Sequence, residues 1–418
     1  MASRRRLFFT AWLGLLAAGS PARAGEWPQM LGPARTGAAA ADEKLADSWP
    51  AGGPPELWRR DVGRGYSGVV IAAGRGVLFS RVGDREVVEA FDPATGKTLW
   101  TDGHPTTFRP QVGGGDGPLC MPLIHGGRVI TFGAQGVLSC HDAASGKPLW
   151  RRDTHREFEA PEGYFGAGSS PIVVGEVVVV NVGGSRQEAG IAGFAIHSGE
   201  TLWTTSSEPA SYSSPVAVNL GGEPHVVMIT RYACLLLEPR TGVIRWKFPF
   251  GMRGPTVNAA LPVVRSDQAG HALLVTAAYG IGTVEGTFTR EAFAKRWDGV
   301  DALASQYCTP IAIGPHAYCI DGRDDLPPAD LKCIEIATGR VLWAEKNFGY
   351  GTLIAADGKL LAAKTDGELL LMRTSPEAAR ILARHRPLPG TLRALPALAD
   401  GRLYVRDDDT LVCLNLAP

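Results

Sequence analysis

The segment Ala90-Phe91-Asp92-Pro93-Ala94-Thr95-Gly96-Lys97-Thr98-Leu99-Trp100 recurs as Cys140-His141-Asp142-Ala143-Ala144-Ser145-Gly146-Lys147-Pro148-Leu149-Trp150. Shorter versions follow in Ser198-Gly199-Glu200-Thr201-Leu202-Trp203, Thr241-Gly242-Val243-Ile244-Arg245-Trp246 and Thr338-Gly339-Arg340-Val341-Leu342-Trp343. Trp58 and Trp297 fall at the same interval, and a degenerate copy ends at Ala383 without the glycine or the tryptophan. Positions 58, 100, 150, 203, 246, 297, 343 and 383 are separated by 42, 50, 53, 43, 51, 46 and 40 residues. That period belongs to four-stranded propeller blades. Asp92 opens a turn, Gly96 can take the positive φ the turn requires, and the following strand carries Trp100. One large ring per unit fills the wedge between neighbouring sheets, which no single blade can bury alone.

Working outward, Ile172-Val173-Val174 and Val177-Val178-Val179-Val180 read as strands split by a Gly175-Glu176 turn. Each unit becomes inner strand, second strand, third strand, Thr-Gly turn and outer strand. Residues 392–416 supply only three strands. The missing outer strand is available at Glu56-Leu57-Trp58-Arg59-Arg60, and pairing the two ends removes the exposed sheet edges. The expectation is an all-β fold, an eight-bladed β-propeller of four-stranded antiparallel blades closed by the strand near Trp58. Seven blades is the fallback if the 343–383 unit is incomplete.

Composition agrees. The 418 residues include 52 Gly and 30 Pro, so about one in five interrupts regular structure, which excludes long helical bundles. Lys+Arg and Asp+Glu are equal at 42, which excludes a strongly cationic nucleic-acid binder. Residues 1–24 read as a cleaved export signal: Arg4, Arg5 and Arg6 precede an apolar run from Leu7 to Ala18, and Ala22-Arg23-Ala24 is a small-x-small cleavage site. The arginines fit either a general secretory or a twin-arginine signal. Removing this segment takes away four arginines and shifts the formal charge from 0 to −4. No cysteine follows the apolar run to carry a lipid, and no later stretch reaches the length of a transmembrane segment. The expected organisation is a signal (1–24), an N-terminal extension (25–53) and one propeller (54–418), soluble in the periplasm or secreted, and a monomer because the ring closes on itself.

The Ala-x-Asp-x-x-Thr-Gly-x-x-x-Trp unit resembles the tryptophan-docking repeat of quinoprotein dehydrogenases, which non-enzymatic propellers share. Trp27-Pro28-Gln29-Met30-Leu31-Gly32-Pro33-Ala34-Arg35-Thr36-Gly37 resembles the opening signature of exported PQQ-like β-propeller repeat proteins, a BamB-like group. Leu353-Ile354-Ala355-Ala356-Asp357-Gly358-Lys359-Leu360 and Gly401-Arg402-Leu403-Tyr404-Val405-Arg406-Asp407 match the same group. The resemblance implies docking roles for Trp58, Trp100, Trp150, Trp203, Trp246, Trp297 and Trp343. It also raises pyrroloquinoline quinone (PQQ) with Ca²⁺ as a possible cofactor pair. Such enzymes typically carry an adjacent Cys-Cys pair, and none of the seven cysteines here has a cysteine neighbour. No haem-binding Cys-x-x-Cys-His, nucleophile elbow, zincin motif or phosphate loop is present. Gly113-Gly114-Gly115-Asp116-Gly117 reads as a flexible loop. Cys140, Cys333 and Cys413 read as small core positions in three blades, while Cys319 and Cys333 flank one hairpin where a disulfide is conceivable.

A site is expected on the rim formed by the loops that lead into the inner strands. The candidate binding residues are His104, Arg109, Asp116, His155, Glu157, Tyr164, Tyr212, Arg253, Asn258, Tyr307, Tyr350 and Arg393. Aromatic and arginine side chains around a concave mouth are what binding surfaces use. His104 and His155 would hold a metal only if a carboxylate joined them. Asp116, Glu157 and Glu159 are the carboxylates to test for glycosidase geometry. The leading expectation is a non-catalytic binding or scaffold module for an envelope protein, peptide or saccharide, with no catalytic residue, metal or cofactor. A quinone-dependent dehydrogenase is the first alternative, and a polysaccharide hydrolase or lyase the second.

Overall fold

Short apolar strands, largely buried on both faces except in the outer position, turn each repeat into an antiparallel sheet, and eight such four-stranded sheets stand around a common axis. The computed structural model describes residues 25–254 and 256–418; the export signal read in 1–24 lies outside them. Seven blades are continuous in sequence: 70–105, 123–153, 172–205, 216–249, 263–299, 311–345 and 351–385. The weak unit is a complete blade, from Gly351–Ala356 to Ala379–His385, which settles the count at eight. The eighth combines Ala397–Ala399, Arg402–Arg406 and Thr410–Asn415 with Glu56–Asp61, in a register that sets Trp58 opposite Cys413 and Arg60 opposite Leu411. Among the described residues the helices are one short α-helix, Thr154–Phe158, and one 3-10 turn, Arg186–Glu188.

Each repeated indole reaches across to the following blade. Trp100 Nε1 donates to the Ala143 carbonyl at 3.0 Å, Trp150 to Ile196 at 2.8 Å, Trp203 to Pro239 at 2.9 Å and Trp297 to Ile336 at 2.9 Å. Trp58 donates likewise to Pro93, joining the closing blade to the first. The turn glycine lies flat on the same ring: a Cβ on Gly146 would stand 2.4 Å from Trp100. Glycine is required there both for its φ of +73° and for that approach. The unit ending at Ala383 faces the closing blade. There the third and outer strands come from opposite ends of the chain, and no Thr-Gly turn joins them to receive an indole.

The register also explains the cysteines. Ala90, Cys140, Gly193, Cys333 and Cys413 each pair across the sheet with the tryptophan of their own blade, a position that Leu236 and Glu285 fill in the fourth and fifth blades. Cys319 pairs with Lys332 and Cys333 with Tyr318, so the two thiols point to opposite faces and the conceivable Cys319–Cys333 disulfide does not form. Cys319 instead donates to the Cys308 carbonyl. All seven cysteines are free and buried, and burial pushes Cys120 and Cys234 far up and Cys140 to about 12. Ellman's reagent should therefore find no reactive thiol in the native protein and seven after denaturation. Five after denaturation without reductant would indicate a disulfide and contradict this arrangement.

The small-x-Pro openings of the inner strands do more than save space. Met121 N–H donates to Ser170 Oγ, Ser170 N–H to Ser214 Oγ, and Leu261 N–H to Thr309 Oγ1, each at 2.8–2.9 Å. The hydroxyl of one blade thus satisfies the backbone of the blade before it, at a place where ladder partners run out.

Residues 27–46 form a strap that touches all eight blades. Trp27 exchanges two backbone hydrogen bonds with Ile71, and the Pro28 carbonyl accepts from Ile124. Leu31 packs on Val216 and Leu261, Gly37 lies against Ile311 and bonds Ala355, and Ala46 bonds Leu416. Arg35 donates to the carbonyls of Pro171, Ser170 and Pro215 where the third and fourth blades begin, held from behind by Gln29. Its guanidinium is 2% exposed with no carboxylate beside it, and burial pulls its pKa down to about 9.

Candidate functional site

The loops entering the inner strands surround a cavity of about 610 Å³ on the propeller axis. Its base is apolar: Met30 from the strap, Met121, Leu119 and Leu395. Its wall is aromatic, made of Tyr66, Tyr164, Phe165, Tyr212, Tyr279 and Tyr307. Tyrosines stand here because the chain places one just before the small residue that opens an inner strand, in Tyr66-Ser67, Tyr212-Ser213 and Tyr307-Cys308. Burial raises the Tyr212 phenol and raises Tyr307 well above the ordinary range, so both stay protonated hydrogen-bond donors.

The charged groups of the wall are paired among themselves. Arg393 forms an ion pair with Asp324 at 2.8 Å, donates to Tyr66 Oη at 3.2 Å and stacks over that ring. Arg323 lies 4.2 Å over Tyr279 and its Nε donates to Asp325 at 3.0 Å, which holds that carboxyl below its usual range. Gln306 ties the group together: its amide donates to Tyr279 Oη at 2.7 Å, and its carbonyl accepts from Asp324 N–H at 2.9 Å.

Four of the twelve residues expected from sequence, Tyr164, Tyr212, Tyr307 and Arg393, line this cavity. Arg253 lies on an adjoining depression with Met252, Tyr279 and Leu326. His155 lines another, smaller one that shares Tyr164 and Tyr212. The rest are placed elsewhere. Tyr350 is buried, its hydroxyl accepting from the N–H groups of Tyr307 and Cys308 at 2.7 and 3.0 Å, so it positions the Tyr307 loop. Asn258 is buried and donates to the Arg231 carbonyl. His104 is buried against Glu86 at 3.0 Å. Arg109 shares Asp116 with Arg64 and Arg81, Glu157 is clamped by Arg152, and Glu159 sits 3.7 Å from Arg186. Asp116, Glu157 and Glu159 therefore occupy three separate ion-pair sets outside the cavity lining and do not face one another across the mouth.

Sequence reasoning missed Tyr66, Phe165, Tyr279, Gln306, Arg323, Asp324 and Asp325. Tyr66 carries the same signal as Tyr212. Residues 322–325 join second and third strands, and in an antiparallel blade that connection shares the rim with the loops entering the inner strands.

The glycine-rich loop is a flap on the cavity. Its ends are anchored by Gln111 N–H on the Tyr164 carbonyl and by Arg81 on the Asp116 carbonyl at 2.9 Å. Between them, Val112 and Gly113–Gly115 line the opening, and among the described residues their backbone makes no hydrogen bond.

His155 makes the stability of the fold depend on pH. Burial pulls the imidazole down to about 4, against about 6.5 in an unfolded chain. As pH falls the unfolded chain binds the proton first, so this contribution to stability is whole above pH 6.5 and drains between 6.5 and 4. The loss at pH 5 is about 2 kcal/mol. In urea titrations at pH 7 and 5, His155→Gln should shrink the difference seen in the parent; an undiminished difference would contradict the assignment.

The quinoprotein resemblance asks whether Ca²⁺ and a quinone fit. Calcium takes six to eight oxygen ligands. The cavity's carboxylates, Asp324 and Asp325, are neighbours on one loop and already neutralised by Arg393 and Arg323. Among the described residues no three His, Cys, Asp or Glu side chains gather as a metal set. The donor set does not fit that centre.

Among solved structures, BamB from Moraxella catarrhalis superposes with a TM-score of 0.62 at 15% identity, covering 86% of this chain and 99% of that one. A europium-containing methanol dehydrogenase gives 0.66 at 12% identity, covering 91% and 89%. The quinohemoprotein alcohol dehydrogenase ADHIIG from Pseudomonas putida HK5 gives 0.60 at 12%, covering 94% and 80%. At these identities the likeness is one of fold. No curated protein matches the sequence. A family model described as outer membrane protein assembly factor BamB matches residues 83–345, well over half of the chain. With the repeat, the eight-bladed ring and that match together, the chain belongs to this PQQ-like β-propeller family.

Proposed function

We propose that this chain is an exported, non-catalytic binding module that receives a protein, peptide or saccharide partner in the mouth of the propeller. The observation that carries this reading is the cavity itself, an aromatic cup whose arginines, aspartates and glutamine are engaged with one another. It offers surface for contact and no free acid, base or nucleophile aimed at a common point. The strap favours the same reading, because Met30 gives the cup a fixed base. A signal in 1–24 would deliver the protein to the periplasm or beyond, and among the described residues no helix is long and apolar enough to cross a membrane.

A photocrosslinking amino acid placed at Val112, on the flap, should give a discrete product with envelope extract. The same probe at Leu99, exposed on an outer strand, should give none. Equal products at both positions, or none at Val112, would count against the mouth as the binding surface.

A further inference from the structure

We infer that the mouth recognises an extended acidic polypeptide segment that sets an aromatic or aliphatic side chain into the cup; this rests on the reading of the mouth as the binding surface. Three independent features support it. The first is the chemistry of the cup. A saccharide needs several free donors and acceptors to bracket its hydroxyls; here Gln306, Arg323, Asp324, Asp325 and Arg393 are engaged with one another or with Tyr279 and Tyr66, which leaves chiefly tyrosine hydroxyls such as Tyr307 Oη. An apolar side chain makes no such demand and gains by leaving water against Met30, Met121, Tyr66 and Tyr212. Apolar surface also continues past the cup onto its rim, where Val112 is 57% exposed, Met252 45% and Leu326 62%. Clustered exposure of this kind marks an interaction surface larger than the cavity.

The second feature is charge. Arg231 donates only to the carbonyls of Thr256 and Gly254, and Arg253 has no ion pair among the described residues. Beyond the cavity lining, the exposed Arg64 and Arg109 share the single carboxylate of Asp116 with the buried Arg81. On the depressions beside the cup, Arg231 and Arg253 thus outnumber the lining carboxylate Glu162, on a chain whose formal charge without residues 1–24 is −4. Such a patch attracts acidic segments and speeds their encounter. The third is the flap, whose unpaired backbone at 112–115 presents N–H and C=O groups that an extended chain can pair with and a sugar ring cannot follow in register.

The test is selection of a displayed random dodecapeptide library on the chain lacking residues 1–24. Selected sequences are then remade as dye-labelled peptides and measured by fluorescence anisotropy. The expected winners combine Asp or Glu with an aromatic or aliphatic residue. Arg231→Ala with Arg253→Ala should weaken them at least tenfold and flatten their salt dependence. Ala259→Phe, which fills the cup from its wall, should abolish binding while leaving the melting temperature unchanged. Winners without acidic residues, or indifference to the double arginine variant, would overturn the inference. Binding that survives Ala259→Phe would overturn the mouth as the site. Glycan-array binding that is lost in Ala259→Phe, with no peptide winners, would keep the mouth as the site and overturn the polypeptide.

Discussion

Trp246→Ala is expected to lower the unfolding free energy by about 3–5 kcal/mol, the largest loss among the repeated tryptophans. Trp246 is 8% exposed, whereas the other six are only half-buried. Its indole packs against Phe248, Phe288 and Phe293 at 5.7–6.1 Å between centroids, and Nε1 donates to the Thr289 carbonyl at 3.0 Å in the next blade. Removing it opens a cavity between the fourth and fifth blades and leaves a carbonyl without its partner. Trp246→Phe keeps most of the packing and drops the hydrogen bond, for a loss of about 1 kcal/mol. Urea unfolding of the two variants checks the argument. A loss below 1 kcal/mol in Trp246→Ala would mean that the indole does not join the blades.

Arg35→Ala should cost about 3 kcal/mol or more, since it strips charge-assisted hydrogen bonds from carbonyls where the third and fourth blades begin. Arg35→Lys separates charge from geometry. Lysine keeps the cation but not the planar fork that reaches Pro171, Pro215 and Gln29 together, so it should recover less than half of the loss. The same variants should speed proteolysis within 27–46 before the blades are cut, because this side chain carries the strap's hydrogen bonds to the third and fourth blades. Lysine performing as well as arginine would show that charge alone suffices and that the fork is incidental.

The ring was legible in the sequence because its information is periodic. Trp100 and Trp150 report the same turn, the same glycine and the same docking carbonyl, so every copy reinforces the others. Closure was legible for a related reason: three strands at one end and one at the other leave a single way to bury both edges. The strap was legible only as a resemblance. Its partners, from Ile71 to Leu416, span the chain, and no local pattern announces that Arg35 will find carbonyls 135 and 180 residues away. The mouth was half legible. Tyr164, Tyr212, Tyr307 and Arg393 follow from loops that enter inner strands. Asp324 and Asp325 do not, since their loop joins second and third strands and reaches the rim only through the antiparallel geometry of the blade. His104 and Tyr350 stand outside the cavity lining, because their polar groups are spent on Glu86 and on the Tyr307 backbone, partners that no local pattern announces. Cys319 and Cys333 were near in sequence, but strand alternation sends them to opposite faces.

The proposed function makes the mouth a partner-binding cup and not a quinone centre. The most direct measurement is titration of the chain lacking residues 1–24 with PQQ and Ca²⁺, followed by thermal unfolding and visible absorbance. A ligand at 100 times its dissociation constant stabilises a fold by about 2.7 kcal/mol, a readily resolved shift in Tm. For a partner-binding cup, no saturable shift and no new absorption band are expected. A saturable rise in Tm with a bound-quinone band, lost when Asp324→Asn and Arg393→Ala are introduced, would contradict the proposed function.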